Sequence, residues 1–195
     1  VSNPDNQNNS KTAPGLLKYL IKHGHWSPFE MVSVTLEIQT TRDISHQIVR
    51  HRSFSFQEFS QRYAEANTYE IREARMQDPK NRQNSIKLDR RKAEDVRLSE
   101  KFNMAQHKVI SLTREVYECA LENGIAKEQA RSVLPEGMTG TTLYMAGTLR
   151  SWIHYCELRM ANGTQEEHAD IAKECWNIIG GHFPSVREAM SDRMG

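Results

Sequence analysis

The sequence predicts an α+β fold. Alternating apolar and polar residues over 32–39 indicate a half-buried strand, and apolar residues at helical spacing lie before and after it. Strand and helix patterns are mixed along the chain without a regular βαβ alternation, which is typical of the α+β class. The length of 195 residues suits one domain that can bury a core.

The N-terminal elements follow from local patterns. Residues 3–10 are polar and predict a loop, whereas apolar residues at helical spacing predict a helix over 13–23 that ends near Gly24. The predicted strand follows, and after it Asp43 can cap a short helix that runs through Arg50. The inward-facing residues of this strand and short helix are predicted to be Val32, Val34, Leu36, Ile38, Ile44 and Ile48.

The second half of the chain begins with a highly charged segment. Residues 72–101 contain few large apolar side chains and predict an excursion or flexible loop that runs into a helix. From Phe102 the pattern predicts an amphipathic helix closed by Asn123 and Gly124. Its apolar stripe is Ala105, Val109, Leu112, Val116 and Cys119. The later patterns predict a helix over 127–133, a strand over 139–148, and helices near 149–160 and 164–179.

Composition limits the function classes. A hydrophobic share of 37% is low, which indicates either a large surface per residue or a core completed by partner subunits. The net charge of +1 gives no overall attraction to nucleic acid or to anionic membranes. No apolar run approaches the roughly 18 residues of a membrane span. Three cysteines without CxxC spacing argue against a disulfide framework or zinc ribbon and indicate a reducing, cytoplasmic setting.

The densest group of potential ligand-binding side chains lies between residues 47 and 63. Three arginines fall within thirteen residues and are interleaved with three phenylalanines. One interpretation is structural, because cations stabilise the negative end of a helix dipole. The other is functional, because guanidinium groups bind phosphates bidentately and Glu58, Ser60 and Gln61 can recognise carbonyl, imide and hydroxyl groups. The cluster favours an anionic, flat, aromatic ligand such as a nucleotide or flavin.

A second polar cluster lies upstream, in residues 23–30 (HGHWSPFE). His23 and His25 supply two candidate metal ligands, and a stable metal site needs more. No metal site is therefore predicted.

These segments carry a family resemblance. An Arg-His-Arg triplet at 50–52, followed after seven residues by Ser60, resembles the RHRx7S signature of the flavin-dependent thymidylate synthases. The segment 23–30 is similar to the part of that family before its central strand, and the segments 130–135 and 149–159 resemble its C-terminal half.

The resemblance covers nearly the whole chain from Val1 and has features of phage-like members, although the family's usual first strand is missing. It implies one domain over residues 1–195, with a central, mostly antiparallel sheet flanked by helices. It also implies a homotetramer with shared active sites, in the cytoplasm of a bacterium or of a phage-infected cell. Neither nucleic acid nor a membrane is an expected partner.

The resemblance further implies methylation of dUMP to dTMP, with methylenetetrahydrofolate as carbon donor and FAD, reduced by NADPH, as hydride carrier. The residues implied to bind dUMP are Gln47, Arg50, Glu58, Ser60, Gln61 and Arg62. Those implied to bind FAD are Ser27, Arg50, His51, Arg52, Glu58, Glu157, Arg159 and Gly163. No GxGxxG or P-loop motif marks an NADPH or folate site.

The cysteines fit a mechanism without a thiolate. Cys119 falls on the apolar stripe of the predicted helix, which is typical of an inert core position, and Cys156 and Cys175 have no flanking activating motif. Ser60 has no evident His–acid pair to activate it and is interpreted as a binding group. Hydride delivery from a flavin needs neither a cysteine thiolate nor a serine as nucleophile.

Two positions depart from the family pattern, so the catalytic residue stays unassigned. The family arginine that contacts the uracil ring falls on Ala169, and another nucleotide-binding arginine falls on Thr141 or Thr142. Nearby His168 or Lys173 can replace the first. The alternative is a catalytically impaired homologue that binds flavin and nucleotide; a nucleic-acid-binding module is a more distant alternative.

Overall fold

The computed structural model describes residues 11–194, so the loop predicted at 3–10 lies outside the described residues. The helices are α1 (Ala13–Lys22), α2 (Arg42–Ile48), α3 (Ala93–Glu122), α4 (Lys127–Ala130), α5 (Leu149–Met160), α6 (Glu166–His182), α7 (Pro184–Ala189) and α8 (Ser191–Met194). The strands are β1 (Ser33–Thr41), β2 (Ser55–Glu58), β3 (Arg75–Gln77), β4 (Ser85–Lys87) and β5 (Gly140–Thr148). Single 3₁₀ turns lie at Ser27–Glu30 and Arg131–Val133.

The central sheet has three antiparallel strands with β5 in the middle, between β1 and β2. β1 pairs along its whole length, from Ser33 opposite Thr148 to Thr41 opposite Gly140. The α+β class and the antiparallel pairing of the central sheet are therefore confirmed.

One face of this sheet forms the main core. Ile38, Leu143 and Met145 are buried there, together with Trp152 and Ile153 of α5. The opposite face carries the polar residues that alternate with the buried ones along β1. Ile44 and Ile48 are fully buried, as predicted for the short helix α2.

A close approach between β5 and the turn before β2 fixes that turn. A Cβ atom added to Gly147 would lie 2.4 Å from Phe54 Cδ1, so only glycine leaves room for the Phe54 ring. The ring packs edge-on against Trp152, with their centroids 4.9 Å apart. The segment between α2 and β2 is thereby anchored to the core.

The charged segment 72–101 contains ordered elements. β3 and β4 pair as an antiparallel hairpin, and residues 93–101 form the first turns of α3. Arg75 bonds to both Glu166 and Glu167 at the start of α6, and Lys87 also pairs with Glu166. The charged residues of this segment led to the prediction of an excursion or flexible loop. In the structure, three of their ion pairs attach the hairpin to α6.

The long helix α3 differs from its prediction in two ways. It begins at Ala93 rather than near Phe102, since polar residues continue the helix beyond the apolar pattern. The predicted apolar stripe, including Leu112, is exposed, and Cys119 is exposed rather than in the core. The face turned inward carries Gln106, Thr113 and Tyr117. Gln106 binds both the backbone N–H and the carbonyl of Arg72, at 2.7 and 2.9 Å, and this pairing stabilises a polar residue inside.

The C-terminal region contains α6, which extends to His182, and two short helices that the sequence patterns did not predict. No helix within residues 11–194 is long and apolar enough to cross a membrane.

Candidate functional site

The predicted flavin residues His51 and Arg159 meet directly. His51 lies in the turn after α2, and Arg159 lies in the last turn of α5. The Arg159 Nε–H donates to His51 Nε2 at 2.8 Å, which requires that nitrogen to be unprotonated. The His51 ring also packs edge-on against Tyr155, at 4.9 Å between centroids.

The predicted nucleotide residue Gln47 connects to the same group through a buried histidine. His168 on α6 lies with Nδ1 3.3 Å from Gln47 Oε1 and with Nε2 3.1 Å from the Tyr155 hydroxyl. Gln47 in turn donates through Nε2 to Gln165 Oε1 at 2.8 Å. The end of α2, the end of α5 and the start of α6 thus converge on one polar cluster.

Both histidines of this cluster are held neutral. Burial lowers the pKa of His51 to about 4, and the Arg159 guanidinium lowers it further in the same direction. Burial also lowers the pKa of His168 to about 4, with smaller contributions from Arg159 and His51. Neutral imidazoles can accept as well as donate hydrogen bonds, which the observed contacts require.

These pKa values predict acid sensitivity. In the unfolded chain both histidines take up protons near pH 6.5, whereas in the folded chain they do so only near pH 4. Stability should therefore be constant above about pH 6.5 and fall as the pH drops toward 4, by about 1–2 kcal/mol per histidine at pH 5. Urea unfolding between pH 5 and 7 measures the effect, and His168→Asn should reduce the slope. An unchanged slope in that variant would contradict the assignment.

Glu58 is the most heavily bonded of the predicted ligand-binding residues. Its Oε1 accepts from Ser45 Oγ and Thr141 Oγ1, each at 2.9 Å, and Arg42 Nη1 lies 3.5 Å away. The carboxylate therefore joins α2, β2 and β5 at the core side of the sheet.

Replacing Glu58 with alanine should destabilise the chain. Ser45 and Thr141 are buried and would lose their acceptor, so we expect a loss of about 2–3 kcal/mol in the free energy of unfolding. Urea denaturation measures this loss. Gln57→Ala is the matched control, because Gln57 is the exposed neighbour on the same strand. Equal losses in the two variants would show that the Glu58 contacts contribute nothing.

A turn directly after β2 carries the remaining predicted nucleotide residues. The Arg62 backbone N–H donates to Ser60 Oγ at 3.4 Å, and the exposed Arg62 guanidinium lies 3.2 Å from Glu128 of α4. Gln61 is only 5% exposed, and its Nε2 has no hydrogen-bond partner among residues 11–194. A buried amide without a partner is rare in folded proteins, so this donor remains available to a partner that the described residues do not supply.

The other predicted residues are more dispersed. Arg50 and Arg52 are exposed and make no ion pair with any described residue. Glu157 accepts from Arg193 of α8 at 2.8 Å instead of joining the polar cluster. Two further predicted flavin residues lie in turns: Ser27 is exposed in its 3₁₀ turn, and Gly163 has a φ of +92° between α5 and α6.

The two departures from the family pattern occupy defined places. Thr141 is buried and bonded to Glu58, and Thr142 lies beside it on β5. Ala169 is buried on α6 and lines a cleft of about 640 Å³ together with Arg75 and Arg82 of the hairpin segment.

Sequence reasoning missed several side chains of the site. Ser45 and Arg42 had no motif signal, because each acts through a contact that forms only on folding, and Tyr155 lies in a family-like segment but was given no role. His168 was considered only as a substitute for the arginine at Ala169. No cluster of three or more His, Cys, Asp or Glu side chains suited to a metal occurs in the described part of the chain.

The two buried cysteines give no activated thiolate. Burial raises the pKa of the Cys156 thiol well above its usual range and that of Cys175 to about 12. Cys119 is exposed near the C-terminal end of α3. Its Sγ accepts from Asn123 Nδ2 at 3.5 Å.

Comparison with known proteins identifies the family. The profile of the Thy1 family, described as thymidylate synthase complementing protein, matches residues 1–185. The chain is 53% identical over 191 residues to a probable flavin-dependent thymidylate synthase of Paramecium bursaria Chlorella virus 1, covering 97% of this chain and 86% of the relative. It is 52% identical over 192 residues to the flavin-dependent thymidylate synthase of Synechocystis sp., covering 97% and 85%.

The fold matches as well. The crystal structure of the UMP/dUMP methylase PolB from Streptomyces cacaoi, bound with 5-Br UMP, superposes with a TM-score of 0.83 at 25% identity. The superposition covers 96% of this chain and 85% of that one. The chain therefore belongs to the flavin-dependent thymidylate synthase family, a family of methyltransferase enzymes.

Proposed function

We propose that this enzyme methylates dUMP to dTMP, with methylenetetrahydrofolate as carbon donor and FAD, reduced by NADPH, as hydride carrier. The observation that carries the nucleotide assignment is the turn after β2. There the buried amide of Gln61 has no partner among the described residues, and the next residue, Arg62, has an exposed guanidinium. An amide donor suits a uracil carbonyl, and a guanidinium suits a phosphate. The relatives named as thymidylate synthases, and a neighbour bound with 5-Br dUMP, support the substrate.

The residues predicted for FAD have suitable chemistry. Arg50 and Arg52 are exposed and free of ion pairs with the described residues, so they can bind a pyrophosphate. His51 is neutral and fixed by Arg159, and it presents a polar ring beside them. When bound, FAD would carry the hydride, and the protein's own part would be to hold and orient it. Ser27, Glu58, Glu157 and Gly163 remain assigned to the same cofactor by resemblance.

The chemistry of the cysteines supports a reaction in which no protein side chain acts as a nucleophile. Two of the three thiols, those of Cys156 and Cys175, are buried with raised pKa values, and Cys119 is exposed on α3, outside the polar cluster. A route that forms a covalent bond between cysteine and the pyrimidine needs a readily ionised thiol. Hydride transfer from flavin does not.

We also propose that the active enzyme is a homotetramer in the cytoplasm. The exposed apolar stripe of α3, with Leu112 62% exposed and Met104 equally so, supports self-association. A long helix with an uncovered apolar face is stabilised when a second copy covers it. Shared sites would complete the FAD and folate pockets from neighbouring subunits.

A second substrate is favoured by one observation. PolB, the structural neighbour, is described as a UMP/dUMP methylase, so UMP is a candidate alternative to dUMP. Parallel assays with the two nucleotides decide between them.

Flavin content provides the first experiment. The purified protein should be yellow, should release FAD on denaturation, and should be bleached by NADPH under anaerobic conditions. Arg52→Ala should lose flavin while keeping its fold. A colourless protein that takes up no added FAD would refute the flavin assignment.

A further inference from the structure

His168 is a fully buried polar side chain whose two nitrogens both have partners. The Tyr155 hydroxyl donates to Nε2, and Nδ1–H donates to the Gln47 carbonyl oxygen, so one neutral tautomer satisfies both contacts. A buried histidine can serve the fold alone. At this position, however, its two hydrogen-bond partners also connect it to predicted ligand-binding residues.

The first partner is Gln47, a predicted nucleotide-binding residue. Its Oε1 faces His168, and its Nε2 donates to Gln165 Oε1 at 2.8 Å. Both ends of the amide are thus held from α6, by one residue in the helix and one just before it. A long side chain that is already ordered loses less conformational entropy when a ligand binds.

The second partner leads to the predicted flavin residues. Tyr155, which donates to His168, packs edge-on against His51, and His51 accepts from Arg159. The rings of His168 and His51 are themselves 6.3 Å apart, nearly perpendicular. His168 therefore hydrogen-bonds to Tyr155, which contacts a predicted flavin residue, and to Gln47, which is itself a predicted nucleotide-binding residue.

We propose that His168 is a positioning residue for nucleotide binding, which orients the Gln47 amide through its Nδ1–H. This inference rests on the proposed function, because it takes Gln47 to contact the nucleotide. His168 itself does not touch the substrate.

Two amide substitutions separate this role from a purely structural one. The amide nitrogen of asparagine lies close to the position of Nδ1, and that of glutamine lies close to Nε2. His168→Asn should keep the bond to Gln47 and raise KM for dUMP by no more than about twofold. His168→Gln should lose the bond to Gln47 and raise KM about tenfold, because a tenfold change corresponds to one ordinary hydrogen bond. The change in kcat should be smaller, and the FAD content should be unchanged.

The controls address folding and the substrate assignment. Tyr155→Phe removes the bond on the other nitrogen and should shift KM less than His168→Gln does. Gln165→Ala acts on the same amide from outside the core and should raise KM about threefold even if the His168 variants do not fold. Equal KM values for His168→Asn and His168→Gln, or no effect of Gln165→Ala, overturn the inference. A wild-type enzyme that does not convert dUMP refutes the proposed function instead.

Discussion

Arg62→Ala should weaken dUMP binding about 10–100-fold while FAD binding is retained. Arg62 directly follows Gln61 in the turn after β2, and its guanidinium is exposed. Charge-assisted hydrogen bonds to a phosphate contribute about 1.5–3 kcal/mol, which corresponds to this loss of affinity. Isothermal titration with dUMP measures the effect on the nucleotide, and flavin absorbance measures the effect on the cofactor.

Glu128→Ala is the matched control for this prediction. It removes the carboxylate that lies 3.2 Å from Arg62 and leaves the guanidinium in place. We expect its dUMP affinity to be equal to wild type or slightly higher, because Arg62 no longer has a competing partner. Equal losses of dUMP and FAD in Arg62→Ala would mean that the division between nucleotide and flavin residues is wrong.

Leu112→Glu should prevent assembly and abolish turnover. Leu112 lies at the centre of the exposed stripe of α3, and a carboxylate placed in an apolar interface costs several kcal/mol for each copy. Because the proposed active sites are shared between subunits, loss of assembly should remove activity as well. Light scattering coupled to size exclusion measures the mass against the 22.5 kDa of one chain.

The control for assembly keeps the apolar character of the stripe. Leu112→Met changes shape but little volume, so it should assemble and turn over like the wild type. If Leu112→Glu has the same mass as the wild-type assembly, α3 does not form the interface. If the wild-type protein is a monomer with full activity, the tetramer proposal fails.

Local patterns predicted β1 and α2 because the signals for these elements lie in neighbouring residues. The alternation at Val34, Leu36 and Ile38 identifies β1, and Ile44 with Ile48 identifies the inner face of α2. The motif at 50–62 predicts where ligand-binding groups are concentrated, and it led to the family to which the chain belongs. Each of these signals lies within a few residues along the chain.

What the sequence did not reveal depends on contacts between distant segments. His168 reaches Gln47 across 121 positions, and Glu58 reaches Thr141 across 83. The spacing of α3 correctly showed an apolar stripe, but periodicity cannot say whether a stripe faces the chain's own core or another surface. Cys119 was misplaced for the same reason.

Anaerobic turnover is the decisive measurement for the proposed methylation of dUMP. The enzyme is incubated with dUMP, methylenetetrahydrofolate, NADPH and FAD, and dTMP is quantified by chromatography, with UMP in a parallel reaction. We expect that dTMP forms from dUMP and that its formation stops when the folate, the reductant or the flavin is omitted. A folded protein that binds FAD and dUMP but forms no dTMP would contradict it.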